Sequence, residues 1–298
     1  MMERKIVQHG PATLMISLPA KWVRKKGLKK GDELNIEEKE NQLIMGLDAK
    51  KHKSETSINI SSFEESSIRT ILTNVYRLGY DKITINYKDE AAIKIINEIT
   101  EKNLLGFEIT EKANGNCKIE SITEPSIEQF DNIFSKVFMN IDDLFLIGEN
   151  LFLGKKQEFE DIDRKIQQLD NFCKRVLIKN SLFENNFLHW SFHSSLIHAS
   201  RELYHLFKYI SRVNFKASKQ ELDLFFDVKE IFEIIKESYA KKDLALLEKV
   251  HKLEKELTYK KGYNALKKSD PIIIHHLLTS ARHFYLTNSP LIGILIKN

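Results

Sequence analysis

Hydrophobic and polar positions follow three successive rhythms along the 298 residues. The first stretch reads as short strands around one short helix. Thr13-Leu14-Met15-Ile16-Ser17-Leu18 is a β-type run closed by Pro19, which opens a helix but does not continue a central strand. Ala20 to Lys26 then supplies basic helical turns around Trp22 and Val23, and Gly27 is their stop signal. Lys30-Gly31-Asp32 is turn chemistry, Leu34 to Glu37 alternates, Glu38 to Asn41 is a polar turn, and Gln42 to Leu47 is a second β-like run. A segment of about 48 residues cannot bury all these strand faces alone, so intertwined dimerisation is expected.

The second stretch alternates strand and helix periods. Thr56 to Ile60 reads as a strand, and Phe63 to Leu78 carries helical spacing through Ile68, Ile71, Leu72 and Val75. Asp81 to Tyr87 alternates again, and Glu90 to Asn103 is helical through Ile93, Ile96 and Ile99. Phe107 to Glu111 and Cys117 to Ile122 form a hairpin across Asn114-Gly115. The order β-α-β-α-β-β predicts a small α/β sandwich with its helices on one sheet face. No glycine-rich phosphate loop is present, which favours a packing or ligand-sensing module over catalysis.

The remainder is helical in period almost throughout, with helices predicted over 126–153, 157–183, 188–212, 219–240, 243–262 and 271–288. An internal repeat supports that division. Asn140 to Ile147 lies over Asp227 to Ile234, matching Ile141 with Val228, Leu144 with Ile231 and Phe145 with Phe232. Ser195 to Tyr204 lies over His276 to Tyr285, matching Leu196 with Leu277, Arg201 with Arg282 and Tyr204 with Tyr285. The prediction is a multidomain α+β chain. Its parts are a β domain over 1–52, an α/β domain over 53–124 and an all-α domain of two three-helix repeats over 125–298.

Composition narrows the class. Hydrophobic residues reach 42% with 18 Phe, enough to exclude a disordered chain. No apolar run is long enough to span a membrane and the N-terminus lacks an apolar export core, so a cytoplasmic protein without membrane insertion is expected. Cys117 and Cys173 form no CxxC pair, which excludes a disulfide framework or a Cys-rich zinc site. Net charge is only +4, but its distribution is uneven. Residues 1–31 hold Arg4, Lys5, Lys21, Arg24, Lys25, Lys26, Lys29 and Lys30 against Glu3 alone. Such an end is suited to a polyanion.

The series Arg4-Lys5-Ile6-Val7-Gln8, Ser17-Leu18-Pro19-Ala20-Lys21-Trp22-Val23 and Gly27-Leu28-Lys29-Lys30-Gly31-Asp32-Glu33-Leu34 resembles the AbrB/SpoVT-type swapped-hairpin DNA-binding domain. That resemblance implies dimerisation by interlocking hairpins and DNA contacts from Arg4, Lys5, Lys21, Arg24 and Lys25. A module that only dimerises is the alternative. The helical third resembles the PhoU family, and the whole order of parts resembles archaeal PhoU-like regulators of phosphate uptake. PhoU repeats carry an E-x-x-x-D motif that binds metal clusters. Here Tyr204 and Lys208, then Tyr285 and Ser289, stand in those places, so no metal or cofactor is expected there.

Other chemistry is weaker. His198, Glu202 and His205 share a helix face and could seat a metal with His275, His276 or His283. Histidines at a core edge are the ordinary alternative. Ser194 and Ser195 lie beside His193 and His198, but regular helix offers no exposed nucleophile or oxyanion hole, so no enzyme is expected. Asp161, Asp163 and Asp170, interleaved with basic residues, read as a solvated charged face. The sequence therefore predicts a DNA-binding transcriptional regulator, linked by resemblance to phosphate homeostasis. The alternative is an accessory protein that modulates a phosphate transporter by protein contact.

Overall fold

The computed structural model describes residues 3–39, 42–46, 54–61, 64–89, 91–123, 130–180, 185–213 and 215–297. Outside them fall parts of several expectations: the end of the turn after Glu38, Leu47, Phe63, Glu90, the start of the first long helix and residues 181–183. The chain forms two compact units, Met1–Lys53 and Ser54–Asn298.

In the first unit, β1 (Ile6–Gln8) pairs antiparallel with β2 (Leu14–Ile16) in the register Ile6 to Ile16 and Gln8 to Leu14. The hairpin is closed by the His9 N–H donating to the Thr13 carbonyl at 2.8 Å. Helix α1 (Ala20–Lys26) starts after Pro19 and ends at Gly27, which adopts φ 66°. Only a residue without a Cβ takes that left-handed cap at no cost. Strands β3 (Asn35–Lys39) and β4 (Gln42–Gly46) form a second antiparallel pair.

The second unit begins with β5 (Glu55–Ile60), α2 (Glu65–Arg77), β6 (Lys82–Tyr87), α3 (Ala91–Asn103), β7 (Phe107–Ala113) and β8 (Asn116–Ser121). The sheet order is β5-β6-β8-β7, with β5 parallel to β6 and the other neighbours antiparallel. Alternation along β6 puts Ile83, Ile85 and Tyr87 inward, where Ile68, Leu72 and Tyr76 of α2 and Ile96 and Ile99 of α3 join one core. Gly106, at φ 80°, begins the β7 turn. A Cβ there would stand 2.0 Å from the Thr123 carbonyl oxygen, so glycine is required.

The helical part comprises α4 (Phe130–Phe152), α5 (Glu160–Asn180), α6 (Asn186–Ile210), α7 (Lys219–Lys241) and α8 (Ala245–Glu256). After α8 a π-helical turn (Leu257–Gly262) and α9 (Tyr263–Ala265) continue its path, followed by α10 (Pro271–Leu286) and α11 (Asn288–Lys297). The last helix is a correction to the six predicted. Pro290 falls in its first turn, where a missing N–H breaks no helical bond. Helix α7 opens with a capping box: the Ser218 hydroxyl accepts from the Glu221 N–H while the Glu221 carboxylate accepts from the Ser218 N–H. Phe130, Phe134, Phe138, Phe145 and Phe152 of α4 lie at the centre of the core, each contributing about 1.5–3 kcal/mol by burial. Gly148 lets α6 and α7 close on α4, since a Cβ there would lie 2.5 Å from Phe207 and 2.6 Å from Phe225.

Helix α5 joins the sheet part to the helical part. The Arg175 side chain is 2% exposed and donates to the Tyr76 carbonyl at 2.9 Å, the Tyr80 carbonyl at 2.8 Å and Asp81 Oδ1 at 2.7 Å. Its guanidinium lies over the rings of Tyr76 and Phe107. Lys179 also donates to Asp81. Burial works against ionisation of Asp81, but Lys179, the Ser54 N–H and Arg175 hold its carboxyl below the usual range. The charged face expected on α5 is only partly solvated. Asp161 is exposed, whereas Asp163 and Asp170 are 5% and 1% exposed because the face is pressed onto α2, α3 and α6.

Candidate nucleic-acid interface

Among the residues of the first unit whose side chains are described, all are exposed or half-buried. Ile6, Val7, Leu14 and Ile16 on the first hairpin, and Ile36 and Leu43 on the second, keep roughly half or more of their surface open. Pairs of two-stranded ribbons this short bury too little to be stable alone. An exposed apolar strand pair is also an edge that attracts another chain.

Arg4 and Lys5 lie just ahead of β1, and Lys21, Arg24 and Lys25 lie on α1. The spacing of three and four residues puts the α1 cations on one helix face. All five side chains are exposed. Lys5, Lys21, Arg24 and Lys25 form no ion pair with a described residue, so their charge is available to an external anion. Arg24, Lys25 and Lys26 also occupy the last turn of α1, where cations suit the helix dipole.

The histidine group is divided by the structure. Glu202 meets His276 Nδ1 at 2.8 Å, and one ligand atom from each of Glu202, His275 and His276 lies within 4.8 Å of the others. His198 instead faces His283, with ring centroids 5.4 Å apart, and His205 lies 6.3 Å from His276. Tyr204, Lys208 and Tyr285 take part in helix packing. Tyr204 meets Phe159 edge-on at 5.7 Å with Lys208 over its ring, and the Tyr285 hydroxyl lies 3.0 Å from His251 Nδ1. Among the described residues, no helix is long and apolar enough to cross a membrane.

Residues 8–56 match the family described as "Antidote-toxin recognition MazE, bacterial antitoxin". The match supports the AbrB-type character of the N-terminal unit and fits a DNA-binding or antitoxin-type regulator. No curated protein and no solved structure matches the chain.

Proposed function

We propose that this chain is a dimeric, non-enzymatic transcriptional regulator. Residues 1–53 pair with a second copy and hold DNA through Arg4, Lys5, Lys21, Arg24 and Lys25, while residues 54–298 read a signal or a partner. The observation that carries the reading is the set of uncommitted cations on α1, inside the segment matched to the MazE family. A genome-wide binding profile of the tagged protein tests it. Discrete promoter peaks support the reading, and uniform background removes it.

A second reading follows from the antitoxin character of the matched family. The exposed apolar strands of the first unit would then hold a toxin-like protein. Recovery of one stoichiometric protein partner that releases the chain from DNA favours this version. A response to phosphate supply, and contact with a phosphate transporter, rest on the resemblance of the helical third alone. Promoter occupancy compared between phosphate-replete and phosphate-starved cells tests the first. Co-purification with transporter ATPase subunits tests the second.

A further inference from the structure

Helices α2, α3, α5 and α6 enclose a cavity of about 340 Å³ whose wall includes Arg69, Asp163, Arg201, Tyr204 and Lys208. A second cavity of about 230 Å³ shares Arg69, Gln167 and Arg201, adds Arg77, and has no acidic residue in its wall. Both lie within the 54–298 unit.

Two polar groups here lack partners among the described residues: Asp163, which is buried, and Arg201, which is half-buried. Asp163 is 5% exposed, and its Oδ2 accepts from Gln167 at 2.5 Å. Its Oδ1 is buried and accepts no hydrogen bond from a described residue. Burial pushes the Asp163 carboxyl up, against the pull of the Arg201 charge. Arg201 itself forms no hydrogen bond or ion pair with a described residue. Neighbouring cations are already engaged: Arg69 with Glu65 at 3.1 Å, Lys102 with Glu98 at 2.5 Å and Arg164 with Asp161 at 3.1 Å. What is left over is one guanidinium in need of an anion and one carboxylate oxygen in need of a donor.

The two ends differ in chemistry. The acid-free end presents Arg201, with Arg69 held by Glu65 and Arg77 held by Asn171 and Asp170 adding positive charge behind it, and suits a dianionic group. The other cavity carries the Asp163 acceptor and the Tyr204 ring in one wall, together with Glu65, Glu98 and Glu160, which suits a planar head carrying an N–H. The combined space is of the order that a small-molecule ligand fills. We propose that this seam binds a nucleoside monophosphate, with its phosphate on Arg201 and its base N–H on Asp163. The site goes beyond the DNA-binding reading and does not depend on it.

The test titrates the full chain calorimetrically, without DNA, with the four ribonucleoside 5′-monophosphates, the matching nucleosides and inorganic phosphate. At least one monophosphate binds saturably, one per chain, and about tenfold or more tighter than either its nucleoside or phosphate alone. Arg201→Gln weakens that binding about tenfold or more while circular dichroism shows the variant still folded. Asp163→Asn weakens it as well. If that variant fails to fold, Arg69→Gln takes its place. The proposal is overturned if none of the four binds, if the nucleoside or phosphate binds equally well, or if Arg201→Gln leaves the affinity intact.

Discussion

Ser280 on α10 donates its hydroxyl to the Ala199 carbonyl on α6 at 3.0 Å. These are the two residues that the internal repeat places in register, 81 positions apart. Around that contact the helices run antiparallel: Glu202 reaches His276, His198 faces His283, and Tyr209 donates to Asp270 at 2.7 Å. Equivalent positions of the two halves therefore face each other where the helices cross. Small side chains at Ala199, Ser200, Ser280 and Ala281, all buried, permit that approach.

DNA binding should respond to salt and to charge on α1. Affinity should fall with a log–log slope of about −0.9 for each B-DNA phosphate neutralised. Replacing Lys21, Arg24 and Lys25 by alanine should reduce both affinity and slope while the oligomer persists. Gel shifts across a salt series read this, and an unchanged affinity in the triple variant refutes the interface.

The oligomer should depend on the first hairpin. Light scattering on the full chain should give twice the chain mass. Ile16→Asp puts a charge on a strand that pairing must cover, and should yield a monomer with the 54–298 unit intact by circular dichroism. A wild-type monomer, or a variant that still dimerises, contradicts this arrangement.

Asp81 should matter more than a residue in a bend between helix and strand usually does. Asp81→Ala leaves Arg175 buried without its carboxylate, at a cost of about 3–5 kcal/mol. Adding Arg175→Met should recover part of that loss, because the unpaired charge is removed with it. Urea unfolding measures both, and a single variant as stable as wild type would show that the pair contributes nothing.

Stability should fall with acid in a window set partly by His189. Burial, then the charge of His193, lowers its imidazole to about 4, and burial also lowers His193. An unfolded histidine titrates near 6.5, so between those values the unfolded chain takes up the proton and is stabilised relative to the folded one. The contribution is complete above about pH 6.5 and is lost as pH falls toward 4. His189→Gln should make this slope shallower by up to about 1.4 kcal/mol per pH unit. Equal slopes for the two proteins would exclude His189 as the titrating group.

Chelation should leave the helical part unchanged. Carboxylates are missing at Tyr204, Lys208, Tyr285 and Ser289, and Glu202 is already engaged by His276. Melting curves with and without EDTA should superimpose. Stoichiometric iron, manganese or zinc in the purified protein, with an EDTA-induced drop in melting temperature, would reveal a working centre at Glu202, His275 and His276.

Local signals were legible where one short segment carries the whole instruction. Pro19 and Gly27 bracket α1, and the alternation Ile83, Ile85, Tyr87 defines β6. The capping box at Ser218 and Glu221 is written in the sequence as a Ser-x-x-Glu spacing ahead of an apolar run. The burial of Asp163, Asp170 and Arg175 was not legible. Mixed charges on a helix look alike whether they meet water or the polar groups of a distant segment, and the partners of Arg175 lie 94 to 99 residues away. Arg201 was visible only as the repeat counterpart of Arg282, with nothing nearby to mark it as unsatisfied. Asp163 was hidden in the same way, since its missing donor is a property of the assembled seam.

The proposed pairing of the first unit with a second copy, in a segment where none of the described side chains is buried, has a consequence for dosage. A segment that gains its interior only from a second chain has its folded population tied to mass action, so the competent form rises more steeply than the amount of protein made. At low copy number most chains would carry an incomplete N-terminal unit beside a finished 54–298 unit. A modest rise in synthesis then converts a larger fraction of them. Such a chain measures its own concentration before it measures anything else.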